Sequence, residues 1–354
     1  MTGTLDIAVR KTTQSRIDEV DFDDIAFGKV YADHMFIADY RNGQWTDLRI
    51  EPFESMSMSP ANAALHYGQS IFEGMKAHRS SSGEALIFRP DKNAQRFKRS
   101  AVRMCMPEIP EDIFIGGLAE LVKTDRDWIP KKEGTSLYLR PFMFATDEYI
   151  GVQPSLTYRF MIFTCPVGGY YSKPVRVKIE TDFVRAAEGG TGAAKTAGNY
   201  AASLYPAQLA AEQGYDQLIW TDAKTHTLIE EAGTMNIMMV MDNKLVTPPT
   251  SGTILEGVTR TSILEMARSW DYPVEERKIT VDEIIGAIKA NRLQEAFGAG
   301  TAATVAHISA IGHEGVDYEL PAIESREFSN KVLKEMEAIK RGQKDDPFGW
   351  ILKV

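Results

Sequence analysis

Two cycles of strand and helix patterns, separated by a segment rich in proline and glycine, constrain the fold of this chain most strongly. Residues 30–39, 48–50 and 85–88 have the β-branched and aromatic runs of short strands. Residues 91–104 and 113–128 repeat apolar side chains at helical spacing. Because a chain of 354 residues exceeds the length at which one hydrophobic core usually keeps growing, we expect two domains.

The interrupting segment is Pro166-Val167-Gly168-Gly169-Tyr170-Tyr171-Ser172-Lys173-Pro174. Strand patterns at 136–144 and 158–165 precede it, and the alternating strand 175–179 follows it. Such a segment favours a break between elements, so we place the domain boundary here. The predicted organisation is a smaller α/β N-terminal domain over residues 1–166, an interdomain linker over 167–176 and a larger C-terminal domain over 177–354.

The second half has its own cycle of elements, which predicts a mixed α and β domain. Pro206 lies inside a helical pattern and predicts a kink or a split, since proline cannot donate the helical hydrogen bond. Gly214 suits the left-handed residue that ends a helix. The predicted strands are 217–220, 235–241 and 295–298, and the predicted helices are 200–213, 260–270 and 282–289.

Charge and cysteine content disfavour several classes of protein. The net charge of −9 opposes nonspecific binding to nucleic acid or to an anionic membrane. The two cysteines, Cys105 and Cys165, form no CxxC pair, so we expect neither disulfides nor a metal site. Residues 1–19 lack the apolar stretch of a signal peptide, and no run approaches the roughly 20 apolar residues that span a bilayer. We therefore expect a cytoplasmic protein.

The most unusual local sequence is Gly189-Gly190-Thr191-Gly192-Ala193-Ala194-Lys195-Thr196. A phosphate-binding P-loop requires glycine directly before its lysine, but this chain has Ala194 there, and no strand pattern leads into the segment. A lysine among small side chains can instead lose part of its hydration, form an imine with an aldehyde and transfer a proton. Spacing alone favours a third interpretation, in which Lys195 is an ordinary exposed lysine of a glycine-rich loop.

Other segments contain groups that a pyridoxal cofactor would need. An acid beside the ring nitrogen keeps the ring electron-withdrawing, and both Glu230 and Glu231 are candidates. A phosphate needs N–H donors, hydroxyls and a cation. The candidates for it are Glu256-Gly257-Val258-Thr259-Arg260 at the start of a helical pattern, the turn Gly298-Ala299-Gly300-Thr301, and Arg89. Each of these alone is also typical of an ordinary turn or helix cap.

Taken in order, these segments resemble the branched-chain amino acid aminotransferases, a family of fold-type-IV pyridoxal-phosphate enzymes. The resemblance runs along nearly the whole chain. Its motifs are Tyr31-Ala32-Asp33-His34-Met35, Leu65-His66-Tyr67 with Phe72-Glu73-Gly74-Met75-Lys76-Ala77, Phe88-Arg89-Pro90, Leu137-Tyr138-Leu139-Arg140-Pro141, Cys165-Pro166-Val167-Gly168-Gly169-Tyr170, Ala194-Lys195-Thr196-Ala197-Gly198-Asn199-Tyr200, Glu231-Ala232-Gly233-Thr234-Met235-Asn236, Thr247-Pro248-Pro249, Gly257-Val258-Thr259-Arg260 and Gly298-Ala299-Gly300-Thr301-Ala302.

The resemblance implies an α/β (α+β) fold of two domains, similar to D-amino acid aminotransferase, with pyridoxal 5′-phosphate as the cofactor. Lys195 would form the Schiff base and act as the acid and base that moves the proton. Tyr200 would donate to the ring oxygen, and Glu231 rather than Glu230 would face the ring nitrogen. The implied cofactor-binding residues are Arg89, Arg185, Lys195, Tyr200, Glu231, Thr234, Val258, Thr259 and Thr301.

The implied substrate pocket has an aromatic wall that accepts branched aliphatic side chains. Arg140 would pair with the distal carboxylate of glutamate or 2-oxoglutarate, so that one pocket serves both half-reactions. Without the motifs, each aromatic residue would be interpreted as a core residue. The implied substrate-binding residues are Tyr31, Tyr67, Phe72, Tyr138, Arg140, Tyr170, Thr234, Ala302 and Ala303.

The implied reaction is reversible transfer of the amino group of leucine, isoleucine or valine to 2-oxoglutarate by a ping-pong route. A homodimer is also implied, in which residues 149–154 of one subunit close the other's pocket. Some relatives carry a redox-sensitive CxxC where this chain has Ala303 and Ala306, so thiol control is not expected. The alternatives are a D-amino acid aminotransferase, an aminodeoxychorismate lyase, and a pyridoxal-phosphate-binding protein without turnover.

Overall fold

The computed structural model describes residues 5–169 and 173–354. These residues form two compact units. Among the described residues, the first comprises 5–169, 194–197 and 338–354, and the second comprises 173–193 and 198–337. The domain limits of the sequence analysis stay predictions.

In the described part of the chain, the elements alternate as a mixed α and β fold. The strands are β1 (Ala8–Val9), β2 (His34–Arg41), β3 (Gln44–Pro52), β4 (Ser70–Phe72), β5 (Met75–Arg79), β6 (Ala85–Phe88), β7 (Ser136–Ala145), β8 (Tyr158–Val167), β9 (Val175–Glu180), β10 (Gln217–Thr221), β11 (Ile229–Ala232), β12 (Met235–Met241), β13 (Lys244–Thr247), β14 (Val274–Glu276), β15 (Leu293–Gly300), β16 (Thr304–His313), β17 (Val316–Glu319) and β18 (Ile351–Lys353). The α-helices are α1 (Ala63–Tyr67), α2 (Pro90–Arg103), α3 (Glu111–Thr124), α4 (Ala197–Glu212), α5 (Val258–Ser269), α6 (Val281–Lys289) and α7 (Glu327–Lys340). Single 3₁₀ turns lie at Ile17–Glu19, Arg126–Trp128 and Ile323–Ser325.

The first unit is built on one sheet with the strand order β1-β3-β2-β8-β7-β5-β6-β18, and β4 pairs with β7. The β1–β3 pair is parallel and the other pairs of this sheet are antiparallel. Helices α2 and α3 bury their apolar faces in the same core as the sheet, where the Phe97 ring lies 5.4 Å from the Phe160 ring. Burial of these aromatic side chains is the main force that holds the helices on the sheet.

The second unit contains strands that close on themselves. The order β11-β10-β9-β16-β15-β12 returns to β11 through an additional β11–β12 pairing, and β13, β14 and β17 extend this sheet. Every residue of β12 is buried. A closed sheet packs side chains on both of its faces. We therefore expect each side chain of a strand such as β12 to be either apolar or hydrogen-bonded.

The predicted elements agree well with the structure, and the expected mixed α and β fold is confirmed. Three local predictions differ from the structure. The strand predicted from residue 30 begins at His34, and the helix predicted over 113–128 ends at Thr124. Helix α4 runs through Pro206 as one helix, so the predicted split is wrong, whereas the kink stays a prediction. The carbonyl that Pro206 leaves without a helical donor belongs to Ala202, which is exposed and can bind water instead. Over the described residues, no helix is both long and apolar enough to cross a membrane.

Candidate functional site

The main chain of Lys195 is held by residues of the first unit. Its carbonyl oxygen accepts a hydrogen bond from the Phe72 N–H at 3.0 Å, and its own N–H donates to Ser100 Oγ at 2.9 Å. The next residue, Thr196, donates through Oγ1 to the Ser70 carbonyl at 2.7 Å and forms an antiparallel bridge with Ile71. Lys195 is half-buried. The interpretation as an ordinary exposed loop lysine was therefore wrong.

The Phe72 ring lies beside two cationic groups. The Lys195 Nζ is 4.8 Å from the centre of the ring, and the Arg140 Cζ is 4.7 Å from it. Both are within the range of cation–π attraction, which helps to orient the two side chains. Three of the predicted site residues therefore form one group within the first unit.

Tyr138 completes this group, because its hydroxyl accepts a hydrogen bond from Arg140 Nη2 at 3.0 Å. The same hydroxyl lies against the backbone of Gly74, where a Cβ atom would stand 2.0 Å from it. Glycine at position 74 is therefore required for the observed position of the Tyr138 ring. Tyr31 stacks on Phe53 with ring centres 4.9 Å apart, whereas Tyr67 ends α1 and is exposed.

Arg89 is a buried cation at the N-terminus of α2. It has a left-handed backbone conformation with φ of 46°. Its guanidinium lies 5.1 Å from the Trp350 ring centre, and its N–H donates to the Trp350 carbonyl at 2.8 Å. A residue near the end of the sequence therefore positions the predicted phosphate-binding arginine.

Glu231, in the second unit, has the contacts of an oriented carboxylate. Its Oε2 lies 2.6 Å from the Arg185 Nε. Its Oε1 accepts from Asn236 Nδ2 at 2.9 Å and from the Leu255 N–H at 3.1 Å. Because the carboxylate is buried, its charge acts in a medium where electrostatic interactions are stronger than in water.

Glu230 lies in a different environment. Its Oε1 accepts from Thr253 Oγ1 at 2.5 Å, and its buried Oε2 has no hydrogen-bond partner among the described residues. Burial raises the pKa of the Glu230 carboxyl, and the Thr253 hydrogen bond and the Arg185 charge only partly oppose this. Of the two acids, Glu231 is therefore the one built to hold a negative charge.

Arg185 also supports the glycine-rich segment. Its Nη2 donates to the Gly192 carbonyl at 2.9 Å and to the Thr253 carbonyl. A Cβ atom on Gly192 would lie 2.8 Å from the Thr253 oxygen, so this close approach requires glycine. Gly192, which belongs to the segment that resembled a P-loop, is therefore needed for close packing against Thr253.

Helix α5 begins with free donors. Gly257, the residue before it, has no side chain to cap the helix, and the N–H groups of Val258 and Thr259 donate to no protein group in the described ranges. Thr259 is buried. Uncapped N–H groups and the positive end of the helix dipole form an arrangement that binds anions such as phosphate.

The remaining predicted residues lie at the ends of strands or in α4. Thr234 is exposed in the turn between β11 and β12, and Thr301, Ala302 and Ala303 form the turn between β15 and β16. Tyr200 lies in the first turns of α4 and is half-buried. Tyr170 lies outside the described residues.

The sequence analysis did not single out Ser100, although the structure places its hydroxyl on Lys195. It also missed Asn93 and Arg96, which are buried on the same helix as Ser100. Their spacing of three and four residues could have revealed them, because it places these polar side chains together on one face of α2, among its apolar side chains.

Comparison with known proteins finds relatives that are all described as aminotransferases. A family model described as amino-transferase class IV matches residues 70–311. The chain is similar to the branched-chain-amino-acid aminotransferase 2 of Bacillus subtilis, with 44% identity over 97% of this chain and 95% of that protein. It is also similar to the branched-chain-amino-acid aminotransferase of Mycolicibacterium smegmatis, with 40% identity over 99% of both chains.

Solved structures show the same fold. A crystal structure of the branched-chain aminotransferase from Thermoproteus uzoniensis with norvaline has a TM-score of 0.74 at 24% identity, covering 90% of this chain and 99% of that one. The branched-chain amino acid aminotransferase from Escherichia coli has a TM-score of 0.71 at 24% identity, covering 90% and 98%.

Proposed function

The chain belongs to the class IV amino-transferases, which use pyridoxal 5′-phosphate, and we propose that it transfers the amino group of leucine, isoleucine or valine to 2-oxoglutarate. The products are the branched 2-oxo acid and glutamate. One observation supports this proposal most directly. Lys195 has a fixed main chain and places its amine over the Phe72 ring, which Arg140 also contacts.

The residues present fit the cofactor. Lys195 offers an amine, and the buried Glu231 offers a carboxylate for a protonated ring nitrogen. The uncapped N–H groups of Val258 and Thr259 with the Thr259 hydroxyl are donors for a phosphate, and Arg89 is a buried cation for it. When bound, pyridoxal 5′-phosphate supplies a ring that accepts the electrons released as the substrate Cα loses its proton.

Lys195 would act as both base and acid in this reaction. Its amine would hold the cofactor and, when free, would take the proton from the substrate Cα and later give it back. The hydrogen bonds to Phe72 and Ser100 fix the Lys195 main chain, which limits the positions its amine can reach. A fixed base raises the rate because the geometry of proton transfer is set in advance.

Glu231 and Tyr200 would set the electronic state of the ring. The Arg185 ion pair and the Asn236 hydrogen bond keep the Glu231 carboxylate oriented, and a negative charge there favours the protonated ring nitrogen. We assign Tyr200 the hydrogen bond to the ring oxygen. Thr301 would add a hydroxyl for the phosphate, and Thr234, Ala302 and Ala303 would line the substrate site.

Arg140 and the aromatic residues would select the substrates. The planar guanidinium can bind the distal carboxylate of 2-oxoglutarate through two parallel hydrogen bonds. Phe72, Tyr31 and Tyr138 present apolar ring surface that suits a branched aliphatic side chain. Amino acids and 2-oxo acids are thus the substrate classes of this site.

Replacing Lys195 tests the proposal. We expect Lys195→Met to abolish keto-acid formation from leucine with 2-oxoglutarate, because it removes the amine that holds the cofactor and moves the proton. The measurement is the coupled assay together with borohydride reduction of the wild type and mapping of the modified peptide. Lys224→Met, which changes an exposed lysine, is the matched control and should keep full activity.

Two results would contradict the proposal. A reduced cofactor adduct on a lysine other than Lys195 would exclude the assigned role. A silent leucine assay with an active D-alanine assay would favour a D-amino acid aminotransferase, and cofactor binding without turnover on any amino acid would favour a binding protein.

We further propose a cytoplasmic homodimer. Exposed apolar side chains support the dimer, since Val152, Leu156 and Leu65 are 91%, 77% and 64% exposed. Apolar groups in such numbers favour burial against a second copy. The unpaired cysteines Cys105 and Cys165 fit a reducing compartment. Light scattering after size exclusion should give twice the chain mass, and a monomer at micromolar concentration would contradict the dimer.

A further inference from the structure

The first unit contains a fully buried carboxylate, that of Glu73, which follows Phe72 directly in the sequence. The exposed fraction of Glu73 is 0%. Its Oε1 accepts from Arg96 Nε at 2.7 Å, and its Oε2 accepts from Arg96 Nη2 at 2.8 Å and from Asn93 Nδ2 at 2.6 Å. The Gly74 N–H also donates to Oε2 at 3.2 Å. The carboxylate is therefore fully engaged and fixed in orientation.

One face of α2 holds both this carboxylate and Lys195. Asn93, Arg96 and Ser100 are spaced by three and four residues, so their side chains share a face of the helix. Ser100 Oγ accepts the Lys195 N–H at 2.9 Å and donates to the Arg96 carbonyl at 3.0 Å. The same helix face thus orients Glu73 and anchors the main chain of Lys195.

Glu73 also interacts with Lys195 through charge. Burial opposes ionisation of Glu73, but the charge and hydrogen bonds of Arg96, the charge of Lys195 and the Asn93 hydrogen bond outweigh it and lower the pKa of the carboxyl. Arg96 and Asn93 therefore hold the Glu73 side chain as a carboxylate.

Stability alone is a weak reason for such a cluster. Burying two opposite charges costs desolvation, and apolar side chains of similar volume often serve a core as well or better. The Glu73–Arg96 pair is 0% and 5% exposed, so this cost applies in full. The pair instead supports two residues that hold the Lys195 main chain, because Phe72 precedes Glu73 and Ser100 donates to the Arg96 carbonyl.

We propose that Glu73 and Ser100 are positioning residues of the amino transfer, which act through the main chain of Lys195. Ser100 accepts the Lys195 N–H, and Glu73, held by Arg96 and Asn93, fixes the adjacent Phe72, whose N–H donates to the Lys195 carbonyl. This proposal rests on the proposed function, in which the Lys195 amine is the acid and base. A fixed main chain limits the positions that this amine can reach, which sets the geometry of proton transfer in advance.

The test of Glu73 is the steady-state kinetics of Glu73→Gln in the full-length enzyme loaded with pyridoxal 5′-phosphate. A neutral amide holds Arg96 less firmly than a carboxylate does, so Phe72 and the Lys195 main chain lose part of their support. We expect kcat for leucine with 2-oxoglutarate to fall about tenfold while KM changes less than about twofold.

Two variants control this measurement. Glu295→Gln changes a buried carboxylate of the second unit that accepts the Phe328 and Ser329 N–H groups, and it should change neither constant. Glu73→Asp keeps the charge and should recover most of the wild-type kcat. A folded Glu73→Gln protein with the wild-type kcat would overturn the positioning role of Glu73.

Ser100→Ala provides a second test that removes no charge, in case Glu73→Gln does not fold. Loss of the hydroxyl frees the Lys195 main chain, so we expect kcat for leucine to fall about tenfold while KM changes less than about twofold. Ser329→Ala, which changes another fully buried helical serine, is the matched control and should change neither constant. An unchanged kcat in folded Ser100→Ala would overturn the anchoring role.

The proposed function and this inference can fail separately. Borohydride reduction of the wild type shows whether Lys195 carries the cofactor at all. If it does not, the proposed function fails. If it does, and both variants behave as the wild type, only the positioning role is wrong.

Discussion

Single residues with the same side chain have different roles in this protein because their partners differ. Glu230 and Glu231 are adjacent in β11, and successive residues of a strand point to opposite faces. Glu231 therefore pairs directly with Arg185 and Asn236, whereas Glu230 accepts a hydrogen bond from the Thr253 hydroxyl and the Arg185 charge offsets its burial only in part. A negative charge is stabilised at the first position and disfavoured at the second.

Substitution of these two acids should separate their roles. We expect Glu231→Gln to lower kcat about 100-fold, because a neutral amide cannot favour the protonated ring nitrogen. Glu230→Gln should keep most of the activity, because it preserves the shape of the protonated acid. Steady-state kinetics with leucine and 2-oxoglutarate measure both, and equal losses in the two variants would contradict the assignment.

Glu230 should also leave a signature in the pH dependence of stability. Its pKa in the folded protein is raised above the ordinary value of 4.5, so ionisation favours the unfolded state. The wild type should lose stability as pH rises from about 4.5 through the folded value, and Glu230→Gln should lack that loss. Thermal melts of both proteins between pH 4.5 and 8 measure the difference, which should grow with pH and then become constant.

At the scale of elements, α5 illustrates how a helix start can be left open for a ligand. A side chain can cap a helix N-terminus, as Thr280 caps α6 by accepting the Glu283 N–H. Gly257 offers no cap, and the space that its Cβ would need is taken by Asn236, whose Oδ1 would lie 1.9 Å away. Gly257 therefore leaves the N-terminus of α5 uncapped and also leaves room for Asn236, which donates a hydrogen bond to Glu231.

Gly257→Ala tests this double role. The added methyl must displace Asn236, which in turn disturbs Glu231, so we expect the Kd for pyridoxal 5′-phosphate to rise about tenfold. Gly286→Ala is the matched control, because a Cβ there has open space inside α6. It should leave the Kd unchanged and raise stability by up to about 1 kcal/mol. Absorbance titration of cofactor-free protein measures the affinity.

At the scale of the whole molecule, residues far apart in sequence complete one unit. Strand β18 near the end of the chain pairs with β6, and the ring of Trp350 lies under Arg89. The Arg126 Nη2 donates to the Val354 carbonyl at 2.6 Å. The unit that contains the N-terminal strands thus depends on residues from the other end of the sequence.

Trp350→Leu should reveal that dependence. Leucine keeps an apolar side chain but cannot attract the Arg89 guanidinium through its ring, so we expect a Kd for the cofactor about fivefold weaker. The kcat at saturating cofactor should change less than about twofold. Trp270→Leu, in the second unit, is the control for loss of a tryptophan. Equal cofactor affinity in Trp350→Leu and the wild type would show that Trp350 does not position Arg89.

Much of the local structure could be predicted from the sequence because it depends on short spacings. The repeat of Ala94, Phe97 and Ala101 predicts α2 to within one residue at each end. The ordered motifs also pointed to Lys195 and Glu231. The sequence could not decide between a kinked and a split helix at Pro206, because the cost of proline depends on whether the carbonyl it leaves free can reach water.

The sequence by itself determined which elements form and which side chains have the chemistry for an amino transfer, since helical and strand periods are set by neighbours a few residues apart. Only the tertiary structure decided how those side chains are supported. Ser100 and Glu73 lie far from Lys195 along the chain, and strand pairing together with one face of α2 brings them to it. Such contacts depend on long-range packing, which no local spacing encodes.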